Sequence, residues 1–213
     1  MSEIHEFRHN RGLTALLRES MDPHATSFIL LHGLGGDERS MWVLEHAIPA
    51  GSFIAAPRGL HELDVGGYSW VDPDIDSWPD LDDFHSSIKE LEDFVIGLNT
   101  VDGFNRERLV YMGFSQGAAL AFAAASESAI RPAAVVAAAG FLPRGELNNL
   151  EGLRVFWGHG TLDDQVPISR ARLDAERLWG MGIELHFCET EVGHKLGLEC
   201  MRGLRKWFQK NLD

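Results

Sequence analysis

Leu109-Val110-Tyr111-Met112-Gly113-Phe114-Ser115-Gln116-Gly117-Ala118-Ala119-Leu120 runs from an apolar strand through G-x-S-x-G into a helix of small residues. A serine on a sharp strand-to-helix turn needs neighbours almost without side chains, and Gly113 and Gly117 let the backbone fold tightly and push the hydroxyl outward. Chance alone supplies this pattern roughly once in seven sequences of such length and composition, so the flanks decide. An apolar run over 109–112 precedes it, and Ala118, Ala119, Leu120, Ala121, Phe122 and Ala123 follow as helix formers. Ser115 is therefore read as a nucleophile. The Gln116 N–H, at the start of the helix, is read as a donor to an oxyanion.

Outward from this stretch the chain alternates strand and helix. Short, nearly continuous apolar runs at 27–32, 52–57, 133–139 and 153–158 read as strands buried on both faces. A further strand is expected at 183–188. Helices are expected at 38–46, with Asp37 as cap, at 84–98, at 169–179 and from 198 to 212. Residues 4–8 and 12–18 flank a turn at Asn10-Arg11-Gly12 and suggest an antiparallel hairpin at a sheet edge. No fixed-period repeat or low-complexity tract interrupts the pattern. One α/β domain over 1–213, with a mostly parallel central sheet and helices on both faces, is the economical reading. Only 144–152 connects one strand to the next after Pro143, which leaves no room for a large cap domain.

Composition narrows the function. A formal net charge of −13 over 213 residues repels nucleic-acid phosphates and anionic membrane surfaces, so neither is an expected partner. No apolar run approaches the length of a membrane span, so no stable membrane insertion is expected, and Met1 to Phe7 lacks the apolar core of a secretion signal. Cys188 and Cys200 give no disulfide framework and no zinc spacing, which favours a reducing, cytoplasmic home. No metal or cofactor is called for, and a homodimer is left open.

Two loops invite other readings. In Gly33-Leu34-Gly35-Gly36-Asp37-Glu38 the third glycine of a dinucleotide fingerprint would fall on Glu38, so the nucleotide reading fails. A glycine-rich loop after a central strand can instead turn a backbone N–H, here that of Leu34, toward the nucleophile as the second oxyanion donor. In the long connection 58–83, Asp72, Asp74, Asp76 and Asp83 fit positions one, three, five and twelve of a calcium loop. Ser77 occupies the position that needs glycine, and Asp83 is short for the bidentate last ligand, so a solvated acidic loop is preferred.

Ser115 is followed by an acid pair, Asp163-Asp164, and by His194, each just past the end of an expected strand. Parallel strands bring their C-terminal ends to one edge, where residues distant in sequence converge. A serine hydroxyl needs a base during attack and an acid for the leaving group, and an imidazole serves both steps. His194, alone in following the last strand, is the expected base. An acid must orient the imidazole, and spacing leaves Asp163 and Asp164 in competition.

Leu31-His32-Gly33-Leu34-Gly35-Gly36, Gly66-Gly67-Tyr68-Ser69-Trp70, Gly113-Phe114-Ser115-Gln116-Gly117, Gly140-Phe141-Leu142-Pro143, the block from His159 to Pro167 and Gly193-His194 together resemble the carboxylesterase/phospholipase family of α/β-hydrolases that includes acyl-protein thioesterases. The resemblance implies an α/β-hydrolase fold and a small-molecule acyl ester substrate, with thioesters and lysophospholipids as variants. It also implies Asp163 as the acid of a Ser115-His194-Asp163 triad. Backbone donors at Leu34 and Gln116, and Trp70, Phe141, Leu142 and Val166 near the acyl group, follow in the same way. The sequence departs from the family pattern at Asp164, where proline is common, and at Gly36-Asp37-Glu38-Arg39. A rival reading from another class is a hydrolase-fold ligand-binding protein or receptor with little turnover.

Overall fold

A computed structural model describes residues 3–8, 12–75 and 78–212. Asn10 and Arg11 of the expected turn, and Asp76 and Ser77 of the acidic loop, lie outside the described residues. The strands are β1 (His5–Arg8), β2 (Thr14–Arg18), β3 (Ser27–Leu31), β4 (Phe53–Pro57), β5 (His61–Glu62), β6 (Tyr68–Ser69), β7 (Leu109–Phe114), β8 (Ala134–Ala138), β9 (Arg154–Gly160) and β10 (Glu184–Thr190). Eight of them form one sheet in the order β1-β2-β4-β3-β7-β8-β9-β10. β1 and β2 are the antiparallel edge, and the strands from β4 to β10 across the sheet run parallel.

Every residue of β3, β4 and β8 is buried, which accounts for their unbroken apolar sequences, because both faces of a parallel sheet are covered by helices. Alternate side chains serve the two faces. Ile29, Leu31, Tyr111 and Val135 pack with α1 (His85–Leu98), α2 (Gln116–Glu127) and α3 (Ile168–Gly180). Phe28, Leu30, Val110 and Met112 pack with Leu204 and Phe208 of α4 (Leu198–Asn211). Burying each such side chain contributes about 1.5–3 kcal/mol, so the central strands, whose ends carry the site, supply much of the burial that holds the fold together.

Two expectations are corrected. The segment read as a helix over 38–46 is a 3₁₀ helix, Ser40–Ala47. The Asp37 carboxylate accepts from the N–H groups of Arg39 and Ser40 and from the Ser40 hydroxyl, and the bonds Ser40 N to Asp37 O and Trp42 N to Arg39 O tighten the start into i→i+3 turns. Cys188 and Cys200, read as giving no disulfide framework, form a disulfide with Cα atoms 5.7 Å apart. The start of α4 packs back onto the end of β10 across only a short loop, a proximity that residue spacing does not reveal. The cysteine argument for a reducing compartment falls with this bond. Among the described residues, no helix is long and apolar enough to cross a membrane.

Candidate active site

At the C-terminal edge of the sheet, six loops follow β3, β4, β7, β8, β9 and β10. The turn after β7 is held by crowding. A Cβ on Gly113 would collide with the Gly117 carbonyl, and one on Gly117 would collide with the carbonyls of Leu31 and His32. Ser115 sits at φ 51°, a left-handed conformation that costs a non-glycine residue on the order of 1–3 kcal/mol. Its own N–H donates to Ala138 O, and its carbonyl accepts from Ala118 and Ala119, so the strained residue is fixed by β8 on one side and by α2 on the other.

The loop after β3 is built on a buried histidine. His32 donates Nδ1–H to the Gly33 carbonyl at 2.7 Å and accepts at Nε2 from the Gly59 N–H at 2.8 Å. The ring lies against the Trp70 indole, with centroids 4.9 Å apart. Burial pushes its pKa below the ordinary histidine value, consistent with the single-proton tautomer that these partners require. Gly35 N and Gly36 O pair with Tyr68, tying the loop to β6. Among the described residues, neither the Leu34 N–H nor the Gln116 N–H donates to another group, and the Gln116 N–H opens a helix, where no intrahelical acceptor exists. The Gln116 side chain meanwhile accepts from Trp70 N at 2.9 Å.

On the far side of Ser115, β9 and β10 deliver the acid and the histidine. Asp163 is 7% exposed. Its Oδ1 accepts from the N–H groups of Gln165 (2.9 Å) and Val166 (2.8 Å), and its Oδ2 lies 2.7 Å from His194 Nδ1. Asp164 is exposed, and among the described residues its carboxylate accepts a hydrogen bond only from the Gln165 side-chain amide, at 3.3 Å. The turn therefore presents one carboxylate inward and its neighbour to water. The acid loop is also zipped to the histidine loop, through Thr161 N to Thr190 O and Leu162 N to Val192 O. With Nδ1 engaged, Nε2 is the imidazole nitrogen left for proton transfer.

Leu34, Ser115, Gln116, Phe141, Val166 and His194 line a common cavity of about 580 Å³. Trp70 and Leu142, expected against the acyl group, are corrected. Neither lines the cavity and both are fully buried. The Trp70 indole N–H is held by the His32 carbonyl, and Leu142 N is held by the Asp174 carboxylate. Ile75, Trp78 and Pro79 of the long connection line the cavity in their place, with Trp78 edge-on to Phe141 at 4.6 Å. Sequence reasoning missed them as lining. The signal available was apolar bulk inside an otherwise acidic, proline-rich loop, where nothing else requires it. Among the described residues no group of three or more His, Cys, Asp or Glu side chains is arranged to hold a metal ion.

One cavity thus gathers a serine, an imidazole steadied by a buried carboxylate, two residues whose N–H groups have no acceptor among the described residues, and an apolar wall. Comparison with known proteins shows the family and the fold. A family model described as phospholipase/carboxylesterase matches residues 14–212. Acyl-protein thioesterase 1 of Saccharomyces cerevisiae is 33% identical, over 91% of this chain and 96% of its own. Its namesake in Kluyveromyces lactis is 30% identical, over 89% and 93%. A crystal structure of a Bacillus cereus carboxylesterase superposes with a TM-score of 0.84 over 95% of this chain and 96% of its own, at 23% identity.

Proposed function

Because the chain belongs to the phospholipase/carboxylesterase family of α/β-hydrolases, hydrolases that act on esters, we propose that it cleaves carboxylic esters and thioesters through an acyl-enzyme on Ser115. The single observation that supports this most is the 2.7 Å pairing of His194 Nδ1 with the buried Asp163 carboxylate, in the cavity that Ser115 also lines.

In the proposed reaction the Ser115 oxygen attacks the carbonyl carbon while His194 Nε2 takes the hydroxyl proton. The oxyanion of the tetrahedral intermediate accepts from the N–H groups of Leu34 and Gln116, each worth about 3–4 kcal/mol in such a role. Collapse breaks the bond to the leaving oxygen or sulfur, which receives the proton from His194. Water repeats the sequence on the acyl-enzyme, releasing the carboxylic acid and restoring the serine. Asp163 holds the imidazole in the tautomer with Nδ1–H and stabilises the imidazolium without taking its proton.

A cavity of about 580 Å³, walled by Ile75, Trp78, Phe141 and Val166, suits an apolar acyl group. Hydrolysis of p-nitrophenyl esters of increasing acyl length, run against the matching thioesters, tests the reading. Turnover should fall by up to about a million-fold in Ser115→Ala, and a variant with near-normal activity would sink the assignment.

A further inference from the structure

His159, the last but one residue of β9, is fully buried and has no part in the steps above, yet it is wired to the acid. Its Nε2 lies 2.9 Å from the Val166 carbonyl, an acceptor only, so Nε2 carries the proton. Nδ1 faces the Trp157 indole N–H, a donor only, at 3.4 Å, which demands the same tautomer. Val166 in turn donates its own N–H to Asp163 Oδ1, and the proton-bearing edge of His159 lies 3.5 Å from Asp163 Oδ2, the oxygen that His194 uses. His159, Val166 and Asp163 thus close a ring around the turn.

We propose that His159 is a positioning residue for the hydrolysis, acting through Asp163: as a neutral N–H donor it locks the 163–166 turn so that Asp163, and not Asp164, presents Oδ2 to His194. The inference rests on the triad reading above. Two observations favour a neutral donor over a second proton carrier. Burial holds the His159 pKa below the ordinary value, and this outweighs the carboxylates nearby. The charged and titratable groups that face it are Asp163 on its own loop and, from the β10 side, His194 and Glu189. Glu189 is already engaged by two guanidinium nitrogens of Arg172, Nε and Nη2, at 2.8 and 2.7 Å, so it is not waiting for a protonated His159.

The test compares three variants, with active sites counted by fluorophosphonate titration so that misfolded molecules drop out. His159→Leu removes the donor, and kcat per titrated site should fall about ten- to a hundredfold, the range for loss of one buried hydrogen bond, with KM nearly unchanged. The acidic limb of kcat/KM, which reports His194, should move to lower pH, because a loosened carboxylate stabilises the imidazolium less. His159→Gln places an amide N–H near the Nε2 position and should restore both kcat and the limb. His159→Asn, whose amide ends where Nδ1 stood, should not, and it takes the place of the leucine variant if that one fails to fold. In an Asp163→Asn background the His159 effect should shrink, since both act through one carboxylate. An unchanged kcat and limb in His159→Leu overturns the proposal. So does a glutamine variant that behaves like the leucine one, or a full additive loss in the Asp163→Asn background. Near-normal activity of Asp163→Asn alone would instead remove the triad reading, so the two failures are distinguishable.

Discussion

The two halves of the site are built by different physics. On the nucleophile half, β3 and β7 meet through missing side chains. Gly113 and Gly117 admit the crossing backbone, Ser115 is forced to positive φ, and the groups proposed to meet substrate are the Leu34 and Gln116 N–H. On the acid and base half, β9 and β10 meet through side-chain hydrogen bonds, with Asp163 collecting two N–H groups and an imidazole. A buried histidine backs each half, with opposite protons. His32 donates from Nδ1 into the oxyanion loop, and His159 donates from Nε2 into the acid turn. The difference teaches that the first half should break through packing, losing the fold, and the second through polarity, losing turnover while the fold survives.

The largest expected contrast lies within the second half. Asp163→Asn should lower kcat by about ten thousandfold, the scale for a triad acid whose loss leaves the wrong imidazole tautomer, with little change in melting temperature. Asp164→Asn should leave kcat within about threefold of the parent, since its carboxylate faces water. Steady-state kinetics on the two variants decides between them, and the reverse ranking would contradict the assignment of the acid.

Next in size is a break in the first half. In Gly117→Ala the new methyl group meets the Leu31 and His32 carbonyls, which cannot move without shifting β3. Denaturant unfolding should show a loss of about 3 kcal/mol, the upper end for overpacking, and the surviving folded fraction should still label with a fluorophosphonate. Parental stability in the Gly117→Ala variant would mean that the strand and helix are less crowded than described.

The disulfide sharpens the comparison from the other side. Cys188 and Cys200 bracket the loop that carries His194, so it belongs to the polar half but acts on the unfolded chain. The Cys188→Ser/Cys200→Ser variant should lose about 2–3 kcal/mol, as expected for closing a loop of this length, and should melt correspondingly lower. An unchanged melting temperature in that double variant would show that the bond does not form in the protein.

The smallest effect concerns both backing histidines together. Burial lowers the folded pKa of each, so the unfolded chain binds more protons below the ordinary value of about 6.5. Their contribution to stability is complete above that pH and is lost as pH falls below it, with a slope of at most about 1.4 kcal/mol per pH unit for each histidine. Unfolding free energies measured between pH 7 and 5 should decline on acidification, and His32→Gln should flatten the decline. A stability independent of pH over this window would contradict the neutral, buried state of the two rings.

The sequence made much of this legible, and the parts it hid share a cause. Strand identities followed from unbroken apolar runs because a covered parallel sheet demands them, and the placement of Ser115 and His194 just past strand ends followed with them. What stayed hidden depends on the direction in which a side chain points. Trp70 and Phe141 look alike as aromatic residues near the site, but a hydrogen bond from the Trp70 indole to the His32 carbonyl turns it away while Phe141 lines the cavity. Asp163 and Asp164 differ only by one step of a turn. The short pair β5 and β6 escaped because two-residue strands carry no periodicity. Cys188 and Cys200 escaped because their meeting is made by α4 packing, not by spacing.

The central claim is that Ser115 is the residue acylated by substrate. Its most direct test is mass spectrometry of the enzyme quenched during turnover of a slow p-nitrophenyl ester, followed by peptide mapping. The account predicts a mass increase equal to the acyl group, carried by the peptide that contains Ser115 and absent from the Ser115→Ala protein. Hydrolysis proceeding with the adduct on another residue, or undiminished in that variant, would contradict it.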